Sequence, residues 1–123
     1  MIFTDKNSGP VLDYIKSTYG GEPEFLWAKS PLNAALRHKG TKKWYAAILR
    51  LPRNKLGLTG SELIDIIDLK CDPLLVTSLI GQPGYLPAYH MNKEHWITIL
   101  LDGTVPTEDI CPLIDLSYKI TSK

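Results

Sequence analysis

Residues 32–73 read LNAALRHKGTKKWYAAILRLPRNKLGLTGSELIDIIDLKCDP: three apolar runs broken by two basic loops, with a proline at the end. The runs LNAALRH, KWYAAILRLP and ELIDIIDLKC have strand length and carry the β-branched, aromatic and aliphatic residues that strands favour. Lys39-Gly40-Thr41-Lys42 separates the first two and puts a glycine where a hairpin turn takes positive φ. These two strands are therefore expected to be antiparallel neighbours. Arg53 to Gly60 forms a second basic, glycine-bearing loop. Asp72-Pro73 then marks a helix start, because an aspartate cap accepts a free backbone N–H and proline at the first helical position sacrifices none.

Outward from this block, FLWAK (25–29) is a fourth extended candidate, set off by Ser30-Pro31. Before it, Pro10 opens a helical pattern with Ser8 or Gly9 as cap, an apolar stripe at Val11, Leu12, Ile15 and Tyr19, and a stop at Gly20-Gly21. After Pro73, Leu74, Leu75, Leu79 and Ile80 make the expected buried face of the second helix, ended by Gly81. Gln82 to Asn92 reads as an ordered loop, and His95 to Leu101 as a strand with Ile97, Ile99 and Leu101 on one side. Asp102-Gly103 turns the chain into a last helix with Ile110, Leu113, Ile114 and Ser117 at helical spacing. Pro112 would remove a backbone bond from a helix capped at Thr107, so a start near Asp109 or a kink is expected. The order α-β-β-β-β-α-β-α gives an α+β two-layer sandwich: a mostly antiparallel sheet of about five strands with helices on one face.

The 123 residues suit a single domain, 1–123, and 44% apolar with 22% charged residues is globular composition rather than that of a disordered chain. No apolar run approaches the roughly 20 residues needed to span a bilayer, and the first twenty residues lack the basic and then apolar order of a signal peptide. Cys71 and Cys111 stand apart in sequence and form no CxxC pair, so two reduced thiols and a cytoplasmic address are expected, with no membrane partner. Net charge is only +1, but it is unevenly spread. Between Phe25 and Ser61 there are eight basic residues and no acidic one, leaving the remainder of the chain at −7. Such a segment can hold a local positive field that the net charge conceals.

No residue pattern reads as a catalytic centre, so the chain is not expected to be an enzyme or to need a cofactor. His90 and His95, five apart, fall about 140° apart on a helix and on opposite faces of a strand, which is poor spacing for a shared metal. Asp65 and Asp68, three apart, face opposite sides of a strand and form no carboxylate pair. No GxSxG elbow or phosphate-cradling glycine loop is present. The basic stretch is the best remaining candidate. Lys39, Lys42 and Lys43 on a hairpin wing would reach phosphates, with Arg37, Arg53 and Lys55 nearby and Trp44 and Tyr45 alongside. His90, Asn92 and Lys93 belong to a second candidate loop, GYLPAYHMNKEHW (84–96). The expected partner is DNA. The alternative is a protein or peptide, held as by a chaperone on the sheet face or the 84–96 loop without any DNA binding.

LKCDP (69–73), LPAYHMNKEHWITILLDG (86–103) and LIDLSY (113–118) resemble the MmcQ/YjbR family, most strongly from Asp68 to Tyr118. EFLWAK and KWYAAILRLPRNKLGL are similar to its longer-loop members. The resemblance implies a frataxin-like or secretion-chaperone-like sandwich in a bacterial protein of a kind commonly labelled DNA-binding through a double-wing surface. It carries over no catalytic residues. Frataxins hold iron on acidic surfaces, whereas the first helix region here offers only Asp5 and Asp13.

Overall fold

The computed structural model describes residues 7–25 and 33–122. Helix α1 (Ser8–Tyr19) leads to strands β1 (Asn33–Arg37), β2 (Trp44–Pro52) and β3 (Leu63–Lys70). Helix α2 (Pro73–Leu79), strands β4 (Tyr85–Pro87) and β5 (Trp96–Leu100), and helix α3 (Thr107–Ile120) complete it. The strands form one antiparallel sheet in the order β1-β2-β3-β5-β4. The described residues adopt the expected class, an α+β sandwich, with five antiparallel strands and three helices. The FLWAK candidate lies, beyond Phe25, outside the described residues. The fifth described strand is instead β4, inside the stretch read as a loop. Three residues ending in proline give no alternation to read, and β4 is an edge strand, where proline is tolerated. Among the described residues, no helix is long and apolar enough to cross a membrane.

Alternation along the strands sorts the side chains into two layers. Ala34, Leu36, Ile48, Ile67, Leu69, Ile97 and Ile99 face the helices, where Val11 and Ile15 of α1, Val76 of α2 and Ile110, Leu113 and Ile114 of α3 close the main core. A bulge where Leu36 pairs with Ala46 but Arg37 pairs with Trp44 leaves Tyr45 as the extra residue. Tyr45 and Ala46 consequently both join the helix-side core. The opposite face carries Ala47, Leu49, Leu51, Ile64, Ile66 and Leu100. It is covered by Leu56 and Leu58 beyond β2, Leu86 of β4, and Tyr89 and Met91 after it, with Trp44 beside them.

Local signals explain most element ends. Gly20, at φ +67°, caps α1 as expected. Asp72 caps α2, its carboxylate accepting the Leu74 N–H at 2.9 Å. Asp72→Ala is expected to cost about 1 kcal/mol in a denaturant titration, the usual worth of such a cap; a loss below about 0.3 kcal/mol would mean that Pro73 alone holds the start.

Three local readings are corrected. In α2 the inward residue is Val76, flanked by Leu75, Leu79 and Ile80, while Leu74 is 83% exposed. At 100° per residue Leu74 lies 200° from Val76, so the apolar face begins one residue later. Of the two expectations for α3, the start near Asp109 is the one corrected: the helix starts at Thr107, with Pro112 inside it. The Glu108 carbonyl that Pro112 cannot serve belongs to an exposed residue, where water can satisfy it. In the β1–β2 turn, positive φ falls on Lys42 (+65°) and not on Gly40. Lys42 N–H bonds back to the His38 carbonyl at 3.0 Å, a helical turn over 38–42. The last loop residue must then reverse the chain into β2.

Candidate functional site

The basic segment of the sequence is not one surface in space. Arg37 makes a two-pronged ion pair with Glu24, both hydrogen bonds at 2.7 Å. That hydrogen bonding, helped by the Lys42 charge, holds the Glu24 carboxyl below its usual range despite partial burial. Arg50 pairs with Asp65, and Arg53 lies 3.9 Å from both Glu62 and Asp102 while donating to the Thr59 carbonyl. Carboxylates outside the acid-free stretch thus fold back onto its arginines. Lys29 lies outside the described residues. Lys39, Lys42, Lys43 and Lys55 remain exposed.

Two clusters result. Lys39, Lys42 and Lys43 share the turn joining β1 to β2, tied by the His38 N–H to the Lys43 carbonyl at 2.8 Å and by the Thr41 hydroxyl accepting from the Lys43 N–H. Arg53 and Lys55 follow the far end of β2. Its nine residues rise about 3.3 Å each, so the ends are about 26 Å apart. Lys55 instead joins Lys93 and His90 in lining a cavity of about 370 Å³ beside β4. Asn92 is a structural residue: its side-chain oxygen accepts from the Glu94 and His95 N–H groups at 2.8 and 3.2 Å, capping the turn into β5. Lys93 donates to the Ala88 carbonyl at 3.0 Å, holding the loop closed. His90 is exposed, stacks on Tyr89 with ring centres 4.0 Å apart, and has a left-handed backbone at φ +59°. His38 is elsewhere, buried among Tyr45 and Tyr118 with Nε2 2.8 Å from the Thr121 hydroxyl. Among the described residues no three His, Cys, Asp or Glu side chains cluster as a metal site.

The sheet face without helices carries a feature that residue spacing did not single out. A cavity of about 560 Å³ opens there, lined by Asn33, Trp44, Ala47, Leu49, Asp68, Tyr89, His90 and Met91. Asp68 is 1% exposed. Its Oδ1 accepts the Thr98 hydroxyl, which itself accepts the Tyr89 N–H at 2.8 Å. Its Oδ2 is buried and, among the described residues, has no hydrogen-bond partner. Burial pushes the Asp68 carboxyl up to about 7, against the opposing pull of the Thr98 bond and the Lys93 charge. Parity had placed Asp65 and Asp68 on opposite faces, and so they are: Asp65 meets Arg50, Asp68 the cavity. The missed signal is the carboxylate itself, set in the apolar run IIDL (66–69), since a buried polar residue is more informative than an exposed apolar one.

The family model described as YjbR matches residues 16–120. The Bacillus subtilis (strain 168) protein named "Uncharacterized protein YyaQ" is 43% identical over 111 residues, covering 90% of this chain and 94% of that protein. A crystal structure of a Pseudomonas syringae protein superposes with a TM-score of 0.86 at 46% identity, covering 89% of this chain and 93% of the other. The crystal structure of Deinococcus radiodurans protein DR2400 is similar at a TM-score of 0.67 and 25% identity, over 93% of this chain and 81% of that one.

Proposed function

The chain belongs to the YjbR family, and within that fold we propose a non-catalytic nucleic-acid-binding module that holds phosphates on the lysine turn between β1 and β2. One observation carries this reading: Lys39, Lys42 and Lys43 are exposed on a single hairpin tip whose own residues, His38 to Lys43, include no carboxylate. Long lysine stems at such a tip reach phosphate oxygens without burying charge, and each contact gains from releasing a condensed counterion. Arg37 and Arg53 contribute little in this reading, because carboxylates already engage them. Sequence preference is weak: α1 offers Lys16 and α3 Lys119, α2 offers no basic residue, and reading a major groove takes several polar side chains on one helix.

Duplex DNA binding is expected to follow salt with a log–log slope of about −2.7, near 0.9 for each of three contacts. The triple variant Lys39→Glu, Lys42→Glu, Lys43→Glu should lose measurable affinity in the same assay while its melting curve stays close to the parent's, since exposed charge changes cost little stability. Undiminished binding by a folded triple variant moves the contact surface to Lys55, His90 and Lys93. Absence of any salt-sensitive binding by the parent leaves the protein-interaction module as the better reading.

A further inference from the structure

We propose that the helix-free face of the sheet carries a small-molecule site, the cavity floored by Asp68, which takes a neutral planar nitrogen heterocycle of the nucleobase kind with an N–H edge on Asp68 Oδ2. This does not rest on the nucleic-acid reading, because the lysine turn plays no part in it.

The size is right for such an occupant: about 560 Å³ lies within the range of small-ligand pockets. The walls are suited to a flat ring. Trp44, Tyr89, His90 and Met91 supply aromatic and thioether surface, and Ala47 and Leu49 the apolar floor around the carboxylate. The polar requirement is specific. Thr98 accepts from the Tyr89 N–H, so its own hydroxyl hydrogen goes to Asp68 Oδ1, leaving Oδ2 as the unfilled acceptor. A buried acceptor without a partner is costly, and Asp68, which carries this one, lines the cavity from which a donor could come. Charge favours a neutral donor over a cation. Lys93 is tied to the Ala88 carbonyl next to Tyr89 of the cavity wall, and its positive charge there would oppose a second one. The left-handed backbone of His90 fits as well: it is an uncommon conformation for a residue other than glycine, held where the Tyr89–His90 stack meets the cavity. A heterocyclic amide or amine edge, as on guanine, presents the donors this acceptor lacks.

The test titrates the full chain with guanosine at pH 8, where Asp68 is ionised and Oδ2 accepts, reading backbone amide NMR shifts, with uridine and ribose as controls. Nucleosides carry no phosphate, so the lysine turn cannot produce the signal. The expected result is saturable binding of guanosine, tighter than that of uridine, with shifts centred on Asp68, Tyr89, His90 and Thr98. Asp68→Asn should weaken it about tenfold or more. Thr98 keeps the amide oxygen on its own side, so the amide NH2 replaces Oδ2 and meets the ligand donor head-on. Ala47→Leu, which fills the cavity and leaves Asp68 intact, should abolish the shifts. No saturable shift with guanosine, shifts centred elsewhere, or equal binding by Asp68→Asn and the parent would each overturn the proposal.

Discussion

Arg50→Ala is expected to destabilise the fold by about 3 kcal/mol. Arg50 and Asp65 are register partners on β2 and β3, both on the helix side of the sheet. Nε lies 2.6 Å from Oδ1 and Nη2 2.9 Å from Oδ2, a planar fork on a carboxylate. The Asp65 side chain is 2% exposed and the Arg50 side chain 25%. Truncating the arginine leaves a desolvated negative charge, which costs roughly 3–5 kcal/mol in a closed interior. The cavity of about 330 Å³ lined by both residues lets water approach Asp65, which puts the value at the lower end. Arg50→Lys should recover only part, because an ammonium cannot make the two parallel bonds. The double variant Arg50→Leu, Asp65→Leu should return most of the stability, because the orphaned charge rather than the missing attraction dominates. Urea titrations of the parent and these three variants measure the three differences. A loss under about 1 kcal/mol for Arg50→Ala would show that solvent, not the guanidinium, already satisfies Asp65.

The same pair marks where sequence reading reaches its limit. Parity along ELIDIIDLKC separates Asp65 from Asp68, and that follows from the two-residue period of any strand. What each carboxylate meets depends on register across the sheet. Arg50 is 15 residues from Asp65, and Thr98 is 30 from Asp68. The helix starts and stops at Asp72, Pro73 and Gly20 are local chemistry and were legible. The acid-free segment was legible as composition but not as a field. Glu24, Asp65, Glu62 and Asp102 arrive from the flanks and from β3, and they neutralise three of its arginines. The lysines of the turn stay exposed, although Glu22 and Glu24 line the same pocket as Lys39 and Lys42. The cavity was invisible for a related reason. It needs β5 placed beside β3 and residues 88–91 folded back over the sheet, held by the Tyr89 N–H on Thr98 and Lys93 on the Ala88 carbonyl.

Asp68→Asn is expected to raise stability at pH 8 and leave it nearly unchanged at pH 4, which is the reverse of what removing a paired carboxylate does. Asp68 ionises near 7 in the folded chain against an ordinary value of 3.8. Between those values the folded state holds a proton that the unfolded chain has released. The stability attached to that proton is fully present below about 4, declines as pH rises through 7, and is flat above. About three pH units at about 1.4 kcal/mol each set a ceiling on the order of 4 kcal/mol for the difference between the ends of this window. Glu24 works in the opposite sense, since Arg37 holds its carboxyl low and its contribution fades on acidification. The informative quantity is therefore the difference between Asp68→Asn and the parent at each pH, in which Glu24 cancels. That difference should climb from pH 4 to 7 and then level off. Asparagine stays uncharged throughout and keeps the bond from Thr98. A flat difference across the range would mean that Asp68 ionises normally and that solvent reaches Oδ2. A rising one would identify a residue that costs the fold stability at neutral pH, as expected of a group retained for what it binds. Ligand should then shrink the same difference, because a donor on Oδ2 stabilises the ionised carboxylate that burial disfavours.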